Sequence, residues 1–388
     1  MAINTATSTN FVSTSGAAEY LGISVSTLYR MVDKGILIPV KTPGGQRRFD
    51  ISELEQYLSE SKMITAPQNP RKGKAQTTIR NDGQTSLEIA ELASEEKASE
   101  ESVPTVDPRN KLNDLTGKEW LPETKSFFFQ KGLGANHPHA QIEKQHPAPY
   151  SFQDISKLVL FFTKQGQRVL DPFGGVGSTA KACALNGRVC TQIELSPRWH
   201  DLAIQRLETE VNEGESLQHE FINADCREAL REIESDTFDF MVTSPPYWAI
   251  LNKKADHKVT KERVNNNLAT NYSDDESDLG NIASYEDFLD ILVKEVFLEC
   301  GRIIKEGKYM CLVVSDFRNK SDFISFHSDL IQRLNKTKVD EKHCLGLQGV
   351  KVLAQNHKSL LPYGYPFAYV ENIHHQYILI FRKEKAKK

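Results

Sequence analysis

No run of apolar residues in this 388-residue sequence reaches the roughly 20 that a membrane-spanning helix needs. The first ten residues, MAINTATSTN, lack the charged and apolar regions of a signal peptide. The expected location is therefore cytoplasmic, and nucleoid-associated if DNA is the partner; no membrane is expected. Paired cysteines are also missing. The six cysteines, Cys183, Cys190, Cys226, Cys300, Cys311 and Cys344, stand singly in apolar stretches. Without CxxC or Cys/His spacing there is no zinc site to propose, so no metal is expected and the thiols read as small core residues. A strong charge of either sign is absent too: the net charge is −4. Partner choice must then rest on local cations, namely Lys41 to Arg48, Lys253 to Arg263 and the tail RKEKAKK. The second of these is followed ten residues on by the acidic DDESD, which weakens it.

Residues 11–60 read as a compact unit. STSGAAEYLG and ISVSTLYRMVDKG are two short helices, each with a Ser or Thr cap and a closing glycine, joined by a turn of helix-turn-helix length. ILIPVKTPGGQRRF then reads as two short strands around a Pro-Gly-Gly turn. This stretch resembles the winged helix-turn-helix of the MerR and excisionase families, carried by TLYRMVDKGIL and TPGGQRRF. The resemblance implies that Ser26, Thr27, Tyr29 and Arg30 face a major groove, with Arg47 and Arg48 on the wing at phosphate or minor groove. Double-stranded DNA is the implied partner. Residues 61–110 are rich in Ser, Thr, Glu, Lys, Gln and Pro and show no period, the composition of a flexible linker.

From 111 to 388 strand and helix patterns alternate. RVLD, RVCTQIEL, QHEFINAD, FDFMVT, KYMCLVVSD and HQYILIFRK read as strands, with STAKACALNG, SPRWHDLAIQRLETEV and SYEDFLDILVKEVFLECGRIIKEG as helices. Such alternation predicts an α/β fold with a doubly wound, mostly parallel sheet. DPFGGVGSTAKA leaves the first strand and opens a helix. Gly174, Gly175 and Gly177 permit a tight turn and close backbone approach to a ligand, and Glu194 at the end of the next strand suits a ribose diol. Taken alone, this loop fits a nicotinamide dinucleotide as well as S-adenosylmethionine. Asp225, in INADC, is placed to accept a hydrogen bond from an adenine amino group.

TSPPYW, at residues 243–248, breaks a buried strand with a polar residue, two prolines and two aromatics. The pair DPF-G-x-G and SPPYW, with HPAPY at 146–150, resembles the amino-group DNA methyltransferases that modify cytosine N4 or adenine N6. The likeness covers about 111–383. It implies a seven-stranded Rossmann-like sheet with the first and fourth strands adjacent, and S-adenosyl-L-methionine as cofactor. It also implies a cofactor set of His146, Asp171, Phe173, Gly174, Gly175, Gly177, Thr179, Glu194 and Asp225, with Ser178 an alternative to Thr179. Ser244, Pro245, Pro246 and Tyr247 become the catalytic set. An aromatic amine is a poor nucleophile, and acceptors such as Ser244 Oγ and the Pro245 carbonyl orient its N–H bonds as positive charge develops. Proline fixes the carbonyl in advance, and Tyr247 offers a face to a flipped base. Ser at the first hook position favours cytosine N4 over adenine N6.

Three segments could read the target: Ala249 to Ala283, Asn319 to Tyr369, and the winged helix acting as a tether. An RNA base methyltransferase shares the chemistry, but the winged helix argues for duplex DNA. A regulator that senses S-adenosylmethionine has no need of the hook, and a nicotinamide oxidoreductase leaves it unexplained. A cognate restriction nuclease is a further partner that the resemblance allows; the oligomeric state is not legible in the sequence.

Overall fold

The computed structural model describes residues 11–21, 28, 32, 37–41, 47–51, 53, 54, 105–130, 133, 137–248, 275–355, 358 and 360–386. The chain divides into two compact units, Met1–Lys97 and Ala98–Lys388.

In the first unit, β1 (Phe11–Ser13) leads into α1 (Thr14–Tyr20), and β2 (Val40–Lys41) and β3 (Arg47–Asp50) follow. The strands form an antiparallel sheet in the order β1-β3-β2. Ala17, Leu28, Leu37, Phe49 and Leu54 make its core. The two wing strands occur as expected. β1 was not anticipated; only three residues long, it is too short to show a period. Arg47 and Arg48 lie on β3 opposite Lys41 and Val40. Ser26, Thr27, Tyr29 and Arg30 lie outside the described residues, as does most of the 61–110 segment. Residues 105–110 are described: Asn110 Nδ2 donates to Asn113 Oδ1 and to the Leu115 carbonyl, at 2.8 and 3.1 Å.

The second unit is built on one sheet. Its strands in chain order are β4 (Phe127–Phe129), β5 (Arg168–Asp171), β6 (Val189–Glu194), β7 (Glu220–Asn223), β8 (Phe238–Thr243), β9 (Ile304–Val314), then the β10–β11 hairpin (Phe317–Asn319, Asp322–Ile324), β12 (His343–Ala354) and β13 (His375–Lys385). The hairpin stands apart; the other eight run β4-β12-β13-β9-β8-β5-β6-β7. Seven of them give the doubly wound order that the resemblance implied, and β4 adds an eighth along β12. β13 is antiparallel to both neighbours; the rest of the β5–β9 block is parallel.

Side chains alternate between the two faces with the period of a strand. Val169, Phe240, Val242, Cys311 and Val313 point to a core shared with α3 (Phe152–Phe162), α4 (Ser178–Leu185) and α5 (Pro197–Glu210), whose α3 contributes Ile155, Leu158 and Phe162. Leu170, Met241, Met310, Leu312 and Val314 point to the other core. There they meet α6 (Cys226–Glu232), α9 (Phe326–Leu334) and a long helix. This long helix is α7 (Tyr285–Ile291), a π-helical stretch (Leu292–Phe297) and α8 (Leu298–Ile303) in succession. The short α2 (Gly117–Glu123) precedes β4 and is closed by a Thr116–Glu119 capping box. β8 is buried at every residue, as a strand covered on both faces must be. All six cysteines are buried and free, in keeping with their reading as core residues. Among the described residues no helix is long and apolar enough to cross a membrane.

One boundary differs from expectation. Residues 304–307, read as the end of a helix, begin β9 instead, where Ile304 pairs with Phe238. A glycine at 307 with φ +78° suits that irregular entry better than a helix interior.

Candidate active site

From β5 the chain winds out through β6 and β7 on one side, and through β8 and β9 on the other. A doubly wound sheet opens its ligand crevice at this reversal, beyond the carboxyl ends of the strands. The glycine loop leaves β5 there and SPPYW leaves β8.

Asp171, the last residue of β5, is fully buried. Its Oδ2 accepts from the hydroxyls of Tyr150 and Thr179, both at 2.5 Å. Its Oδ1 accepts from the Thr243 hydroxyl at 2.5 Å and from the Phe173 amide at 3.1 Å. Burial raises the Asp171 carboxyl above its ordinary range, against the pull of these donors. Burial likewise pushes the Tyr150 hydroxyl well up. One carboxylate thus fastens the HPAPY segment, the glycine loop, the first turn of α4 and the end of β8.

The loop that follows needs its glycines for three separate reasons. A Cβ on Gly174 would stand 2.8 Å from the Gln192 side chain. Gly175 has φ +50°, and a Cβ on it would enter van der Waals contact with His146. Gly177 has φ +76°, with Ala203 Cβ only 3.0 Å from the place a Cβ would take. Behind the loop, Arg206 is fully buried. It donates to the Val176 carbonyl and Ser178 Oγ at 3.2 and 3.0 Å, and pairs with Glu143 at 2.6 Å and Glu210 at 3.1 Å. The loop is therefore held from both sides.

The cleft above it is walled by His146, Phe173, Gly174, Gly175, Ser178, Glu194, Trp199, Asp225, Cys226, Ser244, Pro245 and Pro246, and by Ser277–Leu279. Most of the expected cofactor residues meet here. Glu194 accepts the Gly175 amide at 2.8 Å and the Ser196 amide at 2.9 Å, which leaves each carboxylate oxygen a further acceptor position. Burial raises this carboxyl to about 7. Asp225 caps α6 through the Arg227 amide and forms a two-pronged pair with the Arg227 guanidinium, with Nη2–Oδ2 at 2.5 Å. Burial alone would raise Asp225, but Arg227 outweighs it and holds the carboxyl low. His146 packs edge-on to Trp199, ring centres 5.0 Å apart.

Four residues sit differently from the sequence expectation. Asp171 and Gly177 do not line the cleft; they hold its loop. Thr179 turns its hydroxyl to Asp171, and its neighbour Ser178 lines the cleft. The two are one residue apart on a helix, about 100° of rotation, which sequence spacing does not resolve. Tyr247 also lies outside the cleft wall. It packs edge-on to Phe317 and Phe326 and receives Gln376 Nε2 on its hydroxyl at 3.2 Å. Burial raises the Tyr247 hydroxyl, against hydrogen bonds with Ser244, Gln376 and the Ser315 backbone. Trp248 packs: its Nε1 donates to the Ile282 carbonyl at 2.8 Å. The segment from 249 to 274 lies outside the described residues.

Sequence reasoning missed one wall of the cleft. DDESD was read as a charge run and, within Ala249 to Ala283, as part of a candidate target reader, yet Ser277 and Asp278 from it, with Leu279, close the cofactor cleft. Arg227 ties this wall to the floor, donating to the Ser277 carbonyl at 3.2 Å. Trp199 was also passed over; its signal was a large aromatic in the first turn of a helix after Glu194.

The residues fit S-adenosylmethionine. Glu194 offers free acceptor positions for a diol, Gly174 and Gly175 bring bare backbone to the cleft wall, and Phe173, His146 and Trp199 supply ring surfaces. Residues 11–62 match the helix-turn-helix domain family, and residues 55–205 match the DNA methylase family. The orphan methyltransferase M.BamHII of Bacillus amyloliquefaciens is 36% identical over 74 residues, covering 18% of this chain and 28% of that protein. The type II methyltransferase M.Cfr9I of Citrobacter freundii is 38% identical over 65 residues, 17% of this chain and 22% of that protein. The chain thus spans only about a quarter of these relatives' lengths. Among solved structures, TrmN of Thermus thermophilus aligns with a TM-score of 0.36 and 17% identity, over 64% of this chain and 52% of that one.

Proposed function

We propose that this chain, which joins a helix-turn-helix segment to a segment of the DNA methylase family, methylates the exocyclic amino group of a base in double-stranded DNA. One observation carries the reading: Ser244, Pro245 and Pro246 wall the same cleft as Gly175 and Glu194. A cofactor cradle and a rigid set of acceptors face one space.

S-adenosylmethionine, when bound, supplies an electrophilic methyl group. The chain's own work is to hold and orient. With the cofactor bound, Glu194 would accept the ribose hydroxyls, the glycine turn and Ser178 would hold the amino-acid portion, and Cys226 and Asp225 would border the adenine. Arg227 already contacts both Asp225 oxygens through its amide and guanidinium, so a bond from the adenine amino group to Asp225 would require Arg227 to yield one of them.

At the hook, Ser244 Oγ and the Pro245 carbonyl accept the N–H hydrogens of the target amine. That turns its lone pair toward the methyl donor and stabilises the positive charge that grows on nitrogen. Pro245 and Pro246 lack backbone N–H groups and have fixed φ, so no competing donor enters and little freedom is lost. The base reaches this cleft only by leaving its stack. Tyr247 braces the hook against Phe317 and Phe326, and hydrogen-bonds Ser244. A small uncharged acceptor at residue 244 favours cytosine N4 over adenine N6. The winged helix, through Arg47 and Arg48, tethers the catalytic unit to duplex DNA.

The test is transfer of a labelled methyl group from S-adenosylmethionine to unmethylated genomic DNA, with nucleoside mass spectrometry and Ser244→Ala alongside. N4-methylcytosine that falls at least a hundredfold in the variant, with cofactor affinity kept, is the expected result. N6-methyladenine would overturn the base assignment, and label on structured RNA alone would overturn the substrate.

A further inference from the structure

Between β12 and β13 the chain leaves the sheet at Gln355 and returns at His374. The backbone bond from Gln355 N to His374 O, at 2.8 Å, closes the base of this loop. Asn372 pins it again, taking the Leu361 amide at 2.9 Å and donating to the Leu361 carbonyl at 2.8 Å. Its tip is an ordered turn. Gly364 has φ +74°, and a Cβ there would stand 2.3 Å from the Ala368 carbonyl. The amides of Phe367 and Ala368 both donate to the Gly364 carbonyl at 2.7 Å.

On this pinned turn every second residue is aromatic: Tyr363, Tyr365, Phe367 and Tyr369. Their exposures are 40%, 81%, 93% and 84%, and the rings frame a shallow open concavity. Large aromatics normally bury most of their surface, and contiguous exposed apolar surface marks an interaction site. Here the turn is held out by its own hydrogen bonds, so its rings are presented in advance of any contact.

Position and charge choose the occupant. β12 ends, and the antiparallel β13 begins, at the edge of the sheet where β8 ends. Gln376, two residues beyond the loop, donates to the hydroxyl of Tyr247 on the hook. The root of the finger thus lies beside the hook, on the side of the sheet where a base must be drawn from its stack. Between Gln355 and His374 there is one lysine, Lys358, and one acid, Glu371, so phosphate attraction is not what the loop offers. Exposed flat rings with no net charge suit the faces of bases, which stack on aromatics without regard to sequence.

We propose that the Tyr363–Tyr369 turn is a base-stacking finger that engages DNA bases next to the one taken into the active site. This rests on the DNA reading above. The wild-type chain provides the reference: methyl transfer to unmethylated genomic DNA, with the half-saturating DNA concentration. The double variant Tyr365→Ala/Phe367→Ala touches only exposed rings, and it should raise that concentration roughly tenfold or more with cofactor affinity unchanged. The ratio should persist from low to moderate salt, since no counterions are released at the finger. Leu217→Ala, an equally exposed apolar residue (85%) ahead of β7 at the opposite edge, should change nothing. Phe367→Trp should show emission quenched by the same DNA beyond that of the wild-type tryptophans.

Unchanged half-saturation in the double variant, with an unquenched Trp, would overturn the finger while leaving DNA methylation intact. A double variant that turns a dimer into a monomer, by light scattering, with DNA kinetics unchanged would make the occupant a second copy and also overturn it. No transfer to DNA by the wild-type chain would remove the DNA reading and the finger together.

Discussion

Thr243, the last residue of β8, donates its hydroxyl to Asp171, the last residue of β5, at 2.5 Å. The strand that launches the cofactor loop and the strand that launches the hook therefore end on one buried hydrogen bond. Their spacing is set before any ligand arrives.

Asp171→Ala should be severely destabilising. It leaves three hydroxyls and an amide without their acceptor in a buried site, and unsatisfied buried donors cost about 1–3 kcal/mol each, with partial relaxation. A loss of about 3 kcal/mol or more in urea unfolding is expected. Thr243→Val removes one donor and should cost about 1 kcal/mol. Equal losses in the two variants would show that Asp171 is not the common anchor.

Gly177→Ala tests the loop. The residue has φ +76°, and its added Cβ would stand 3.0 Å from Ala203 Cβ. An L-residue in the left-handed region costs about 1–2 kcal/mol, and the contact adds to it. The unfolding midpoint should fall, and S-adenosylmethionine should bind more weakly by calorimetry. A variant as stable as the wild-type chain would remove the strain argument.

Glu194 sets a pH dependence with two opposite arms. Its folded value, about 7, lies above the unfolded value of 4.5. In the ligand-free chain the contribution of the protonated carboxyl is fully present below about 4.5 and is lost as pH rises through 7. The loss is at most about 3 kcal/mol, and less where water in the open cleft screens the charge. Cofactor binding should run the other way. Ribose hydroxyls donate best to the ionised carboxylate, so S-adenosylmethionine affinity should rise toward pH 7 and level off above it. Glu194→Gln should flatten both curves; a flat binding curve in the wild-type chain between pH 5.5 and 8 would contradict the assignment.

The strands nearest the site were the most legible. FDFMVT is β8 residue for residue, because a strand buried on both faces and stopped by Ser-Pro-Pro has no other reading. The glycine loop was legible because its backbone demands are local. β12, twelve residues long, was not foreseen. Gly346 and Gly349 interrupt its apolar pattern, and a bulge between Leu347 and Gly349 shifts its period. The wall formed by Ser277, Asp278 and Leu279 was hidden for another reason. Its residues matter by where the chain returns to the cleft, and a run of acids carries no sign of that return. Arg206 was likewise hidden, since a buried arginine in an amphipathic helix looks like any surface cation until its partners are in place.

The bond from Trp248 to the Ile282 carbonyl has a consequence for variation. It joins the two ends of the intervening chain at one point on the edge of the sheet. Closing a loop costs entropy that grows only with the logarithm of its length, about 0.6 kcal/mol for each doubling. The chain between these two anchors can therefore change in length at small cost in closure entropy, except at Ser277, Asp278 and the buried Leu279, which wall the cleft. Such a site is where related chains could diverge in length and composition while keeping the same cleft.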